Sequence, residues 1–105
     1  MTSIQMNQLC FARWTDGNYY PAVTGEVLPD RVRVGYLDNT SGLVRKDEIL
    51  DLQEAFRILE FQGRYRHGLL FYSGVISQHD MIMNYDDGDV ELVELRQLRG
   101  RKRGE

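Results

Sequence analysis

The chain repeats itself. YYPAV at 19–23 lies over FYSGV at 71–75, an offset of 52, and GYLDN at 35–39 lies over NYDDG at 84–88, an offset of 49. The second offset continues through LVRKDEI (43–49) and LVELRQL (92–98), pairing Leu43 with Leu92, Val44 with Val93 and Ile49 with Leu98. The change in offset marks a shorter middle hairpin in the second copy. A fixed-period repeat means two copies of one supersecondary unit. In a chain of 105 residues each copy has about fifty, which is marginal for a core of its own, so the copies are expected to pack together or share strands.

Within each copy the hydrophobic period is two. Segments 9–14, 19–28, 32–38 and 43–50 read as strands rich in β-branched and aromatic residues, as do 69–78, 81–86 and 90–98. TDGN, PDR and NTSG separate the first set, and HD and DG the second. Asp-Gly and Ser-Gly supply positive φ, and Pro29 stops a strand. Only DLQEAFRILEF (51–61) is mixed: Leu52, Ala55, Phe56 and Leu59 have helical spacing while FRILEF alternates, so a helical turn leading into a strand is expected. The predicted class is all-β, with four or five short antiparallel strands per copy curling into a small barrel.

Charge narrows the function classes. The net charge is −3, but residues 96–105 carry five Lys or Arg against Glu105, or +4, so residues 1–95 carry −7. An acidic body disfavours nonspecific nucleic-acid binding through the fold and suits a cationic ligand. RGRKRGE at the end reads as a flexible basic tail (100–105), either a phosphate-contacting or import patch or a solvated terminus. With one cysteine, Cys10, and two histidines, internal disulfides and a Cys/His zinc site are excluded. No apolar run approaches membrane-helix length, and MTSIQMNQ does not read as a signal peptide. An intracellular protein is the resulting expectation.

NYDDGDVELVEL (84–95) invites a metal or catalytic reading. Setting Gly88 at the glycine position of an EF-hand loop puts Met83 and Tyr85 where oxygen ligands belong. Adjacent Asp86 and Asp87 point to opposite faces of a strand. Cys10 and Ser73 lack His or Asp partners in sequence context, and DDGD lacks the Lys-Ser/Thr of a phosphate loop. Neither an enzyme nor a cofactor is expected.

The aromatics point elsewhere. In CFARWTDGNYYPAV, Trp14 ends one strand and Tyr20 begins the next across a short hairpin. Tyr36 ends the third strand, and Asp38 follows in its turn. Three rings and a carboxylate at strand ends on one rim make an aromatic-cage candidate for an alkylated ammonium. Ring faces attract a cation, by about 0.5–2 kcal/mol each, and methylation of lysine keeps the charge while removing N–H donors. Tyr65, Tyr72, Tyr85 and Asp87 occupy the matching places in the second copy. Neighbouring Tyr19 and Phe71 are expected on the opposite strand face, so that one ring of each adjacent pair can fill the core while the other faces the rim. The competing reading is that all these rings are barrel core.

At these residues the chain resembles a Tudor domain pair over residues 8–99. ARWTDG-x-x-Y (12–20) is similar to the opening of Polycomb-like Tudor domains, and YSGV followed by a hydrophobic strand and YDDGD resembles the tandem Tudor domain of DNA-damage checkpoint adaptors. The resemblance implies two SH3-like (Tudor) barrels packed in tandem, 8–52 and 53–99. It also implies a nuclear chromatin reader of methylated lysine on a histone tail, part of a larger chromatin protein. Carried over, the first cage is Trp14, Tyr20, Tyr36 and Asp38, and the second is Tyr65, Tyr72, Tyr85 and Asp87. Both depart from the family pattern. Thr40, Ser41 and Gly42, and Asp89 and Val90, stand where a further aromatic is common, so each cage has three walls or borrows one from the other barrel. The first copy, which holds the Trp, is favoured for the methylammonium, and the second for stability or for neighbouring basic residues of the peptide. The alternatives are a methylarginine reader, a modification-independent interaction module, and a nucleic-acid binder using Arg99, Arg101, Lys102 and Arg103.

Overall fold

The computed structural model describes residues 4–104. Ten short strands form one antiparallel sheet, so the class is all-β. In the first half β1 (Leu9–Arg13), β2 (Tyr19–Val27), β3 (Arg31–Tyr36) and β4 (Ser41–Arg45) follow one another as hairpins, and β5 (Ile49–Asp51) returns to pair with β1. Helix α1 (Leu52–Ile58) links to the second half. There β6 (Leu59–Gly63), β7 (Tyr72–Ser77), β8 (Ile82–Tyr85) and β9 (Val90–Leu92) repeat the meander, and β10 (Leu98–Lys102) returns to pair with β6. The halves are joined where Gly100 of β10 meets Tyr19 of β2.

The repeat extends to individual hydrogen bonds. Asn39 N–H donates to the Tyr36 carbonyl and Gly88 N–H to that of Tyr85, both at 3.0 Å. Tyr36 N–H donates to Thr40 O and Tyr85 N–H to Asp89 O, both at 2.8 Å. Asn39 and Gly88 both have positive φ, 73° and 98°, the geometry that Asn and Gly tolerate best. The two turns are therefore one structure built twice.

Two sequence expectations need correction. Segments 43–50 and 90–98 are not single strands: 3₁₀ turns at Lys46–Glu48 and Leu95–Gln97 interrupt them. Each turn is closed by a side chain three residues ahead. Glu48 Oε1 accepts the Arg45 N–H at 2.9 Å, and Gln97 Oε1 accepts the Glu94 N–H at 2.8 Å. The flexible tail expected from residue 100 is also shortened, since Gly100–Lys102 are strand. A Cβ on Gly100 would lie 2.8 Å from Leu59 Cδ1, so glycine lets β10 lie against the core. The segment read as a helical turn forms α1, with the Asp51 carboxylate capping Glu54 N–H at 2.8 Å and Ala55 buried. Among the described residues no helix is long and apolar enough to cross a membrane.

Alternation along β1 and β2 feeds two cores. Phe11 and Tyr19 enter a cluster with Leu59, Phe61, Met83, Tyr85 and Leu98 of the second half. Cys10, Ala12 and Ala22 face a cluster with Val32, Val34, Tyr36 and Val44 of the first. Both faces of this central strand pair are buried, so the halves share their middle layer rather than meeting at a wet boundary. The outer strands of the second half are poorly covered: Val75, Val90 and Leu92 are exposed.

Candidate functional site

The turn after β1 sets the first wall. Gly17, with φ of +85°, lets its N–H reach back to the Trp14 carbonyl at 3.0 Å while Trp14 N–H donates to Asn18 O at 2.8 Å. This holds Trp14 at the rim, 37% exposed. Tyr36, ending β3, meets Trp14 edge to face, with centroids 5.2 Å apart and planes at 86°. Its hydroxyl donates to the Arg13 carbonyl at 2.9 Å, fixing the ring. Burial, then the neighbouring Cys10 and carboxylates, pushes this phenol up to about 12, so it stays neutral at physiological pH.

These rings border a cavity of about 330 Å³, into which Tyr20, Asp38 and Asp16 also face. The Asp38 carboxylate accepts the Thr40 hydroxyl at 2.6 Å and the Thr40 N–H at 3.0 Å. Those bonds hold its carboxyl below the usual carboxylate range. For Asp16, burial opposes ionisation, but hydrogen bonds from Tyr20 and Asn18 outweigh it and the carboxyl is held low. The Tyr20 hydroxyl donates to Asp16 at 2.7 Å and accepts from Arg99 at 3.2 Å.

A fourth aromatic comes from the second half. Phe71 lines the same cavity and meets Tyr20 edge to face at 6.3 Å. The Arg99 guanidinium lies 4.0 Å from the Phe71 centroid. The expectation that Phe71 lies in a strand, on the face opposite to Tyr72, is corrected. Strand β7 starts at Tyr72, so strand alternation does not govern Phe71, while Tyr19 alone is core. Leu69, Arg64 and Arg96 complete that side.

The second set also converges, around a smaller space of about 170 Å³ lined by Tyr65, Tyr72, Tyr85, Asp87 and Asp89. Tyr65 and Tyr85 meet at 5.5 Å and 86°, the counterpart of Trp14 and Tyr36. The Tyr85 hydroxyl donates to Glu91 at 3.0 Å, and Glu91 also accepts from Gln97 Nε2 and Arg66 N–H. Burial and then that carboxylate push the Tyr85 phenol up. Arg66 lies 5.2 Å from the Tyr65 ring centroid but does not line this space.

Sequence reasoning missed Asp16, Phe71, Leu69, Arg64 and Arg96 as cavity residues. Asp16 read only as a turn residue, and the others reach the site through contacts between halves that no local pattern carries. The basic C-terminal run is partly engaged within the fold. Arg99 donates to Gln62 and Tyr20, Arg101 to Asn18 and the Asp16 carbonyl, and Arg103 pairs with Glu60 at 3.7 Å. Among the described residues no group of three His, Cys, Asp or Glu side chains is placed to hold a metal ion. No protein-family model and no curated protein sequence matches the chain significantly.

Proposed function

We propose that the chain is a tandem Tudor module, two small SH3-like barrels with a shared middle layer, that reads methylated lysine in a basic histone tail through the first cavity. The observation that carries this reading is the perpendicular Trp14–Tyr36 pair facing Tyr20 and Asp38 across an open space of about 330 Å³. The methylammonium enters between ring faces, each contributing about 0.5–2 kcal/mol. Asp38, kept ionised by Thr40, adds Coulomb attraction and accepts the N–H that a mono- or dimethylated lysine retains. The acidic charge of residues 1–95 draws in a basic peptide, and a histone partner makes the nucleus its compartment.

Two details favour this over the alternatives. A methylated guanidinium is flat and fits a slot between parallel rings, whereas Trp14 and Tyr36 stand at 86°. Of the C-terminal arginines expected to contact a phosphate backbone, Arg99 and Arg101 are bonded within the fold.

The test is a histone-peptide array followed by titration of the best methylated peptide and chemical-shift mapping. Trp14→Ala is expected to weaken binding at least tenfold, about 1.4 kcal/mol, and Asp38→Asn several-fold, with the amide spectrum otherwise retained. Equal binding of methylated and unmodified peptide would show a modification-independent interaction module instead.

A further inference from the structure

The cavity carries both signs of charge. Asp16, Asp38, Arg64 and Arg96 all line it, so its four ionised side chains sum to zero although it is read as a cation site. Arg64 donates to the Arg96 carbonyl at 2.9 Å, a neutral acceptor, and its guanidinium is 5.9 Å from the Phe71 centroid. It makes no ion pair among the described residues, although, after the Thr40 hydrogen bonds, its charge helps to hold the Asp38 carboxyl low. Arg96 pairs with Glu94 through Nε at 2.8 Å, and no other bond to that guanidinium is made among the described residues. Arg99, by contrast, is bonded to Gln62 and Tyr20 and lies against Phe71. Arg64 and Arg96 therefore offer donors at the cavity that the fold does not use.

A lone methylammonium in this space is repelled by the two guanidinium groups as well as attracted by the carboxylates. A ligand that carries an anion beside its cation turns that repulsion into pairing. Arginine suits the task, because its planar fork matches a carboxylate or phosphate with two parallel N–H bonds. A void of 330 Å³ spans roughly 9 Å, about the reach of two to three residues of extended chain at ~3.3 Å each. Resting on the methyl-lysine reading, we infer that the site recognises a methylated lysine together with an anionic side chain, a carboxylate or a phosphate, within two residues of it, and that Arg64 with Arg96 forms the anion subsite.

The test titrates the whole chain and Arg64→Gln with one otherwise neutral peptide series at low and high salt. The series holds unmodified lysine, trimethyl-lysine, trimethyl-lysine with glutamate one or two residues to either side, the same with phosphoserine, and unmodified lysine with phosphoserine. The expected result is about tenfold tighter binding, or ~1.4 kcal/mol, when the acidic residue accompanies trimethyl-lysine. Phosphoserine should exceed glutamate, and the gain should shrink with salt and vanish in Arg64→Gln. Trimethyl-lysine peptides that bind with no gain from the acidic residue, or a gain that survives Arg64→Gln, would overturn the inference and leave the cage reading standing. A phosphoserine gain through Arg64 that ignores methylation would keep the anion subsite and sink the cage. Binding by no peptide sinks both. Should Arg64→Gln lose the native amide spectrum, Arg96→Gln carries the same expectation.

Discussion

Phe71→Ala tests whether the cavity belongs to both halves at once. The ring is half-buried, so truncation forfeits the burial of on the order of 80 Å² of apolar surface, about 2 kcal/mol at ~25 cal/mol/Å². Its edge contact with Tyr20 at 6.3 Å lies near the far limit of useful ring geometry and adds about 0.5 kcal/mol. The Arg99 guanidinium at 4.0 Å adds a similar amount, ~0.5–1 kcal/mol for a partly exposed pair. A loss near 3 kcal/mol lowers the melting temperature of a domain of this size by about 12 °C, at ~4 °C for each kcal/mol. Affinity for a methylated peptide should fall about five-fold, roughly 1 kcal/mol for one wall of four. Phe71→Leu keeps most of the volume and removes the π face, so it should recover most of the stability and little of the affinity. Both quantities can be read in one sample. Trp14 is the sole tryptophan and lines the cavity, so its emission reports ligand and its thermal transition reports folding. If Phe71→Ala melts lower yet binds as tightly as the parent, Phe71 is packing alone and the cavity has three aromatic walls. If Phe71→Leu restores affinity along with stability, the wall is apolar volume and its π face is irrelevant.

Two further outcomes are expected. Gly63→Ala should destabilise the second half by about 1–3 kcal/mol, because a Cβ there would stand 2.7 Å from the Tyr85 hydroxyl. Peptide binding at the first cavity should persist at temperatures where the protein stays folded, and a loss of binding without a loss of stability would place the ligand in the second set. Stability should also fall in alkali. Burial raises the Cys10 thiol from 9.0 to about 12 and the Tyr36 phenol from 10.0 to about 12, and the Tyr20 and Tyr85 phenols are raised as well. For a raised pKa the stabilisation is complete below the unfolded value and is lost as pH climbs towards the folded one. The melting temperature should therefore be level from pH 7 to about pH 9 and decline from there towards pH 12, and a level profile to pH 11 in thermal melts would contradict the burial of these groups.

The repeat was legible because backbone geometry at matching turns restricts residue choice. Asp38-Asn39 and Asp87-Gly88 both place a carboxylate before a positive-φ residue, and both carboxylates accept the N–H two residues on, at 3.0 Å in each case. Most of the candidate rings stand at or beside strand ends, where such turns place them, but Tyr65 lies in a 3₁₀ turn (Tyr65–His67) that no period-two pattern marks. The 3₁₀ turns were not, because Val44–Ile49 and Val93–Leu98 keep apolar residues at both ends whether or not the strand continues between them. Strand β10 was hidden by its charge. Arginine at 99 and 101 reads as solvated, yet Leu98 and Gly100 are buried while Arg99 reaches the Tyr20 hydroxyl and Arg101 the Asn18 amide oxygen of the other half.

What escaped the sequence altogether is what joins the halves. Each copy encodes its own turns, rings and carboxylates, and by that information alone the two corners are equivalent. They differ because the first receives Phe71, Arg64 and Arg96 from the other copy, while the second has Arg66 over its own Tyr65. A duplicated unit thereby acquires two unlike corners, the first lined by both halves and the second by its own copy alone. The asymmetry rests on the β2–β10 junction at Tyr19 and Gly100, where neither copy's internal pattern points. On the proposed methyl-lysine reading, ligand selection is in this sense a property of how the repeats dock. Substitutions at Phe71 or Arg64 should alter it more selectively than substitutions at Tyr36, which serves the first core and the cavity together.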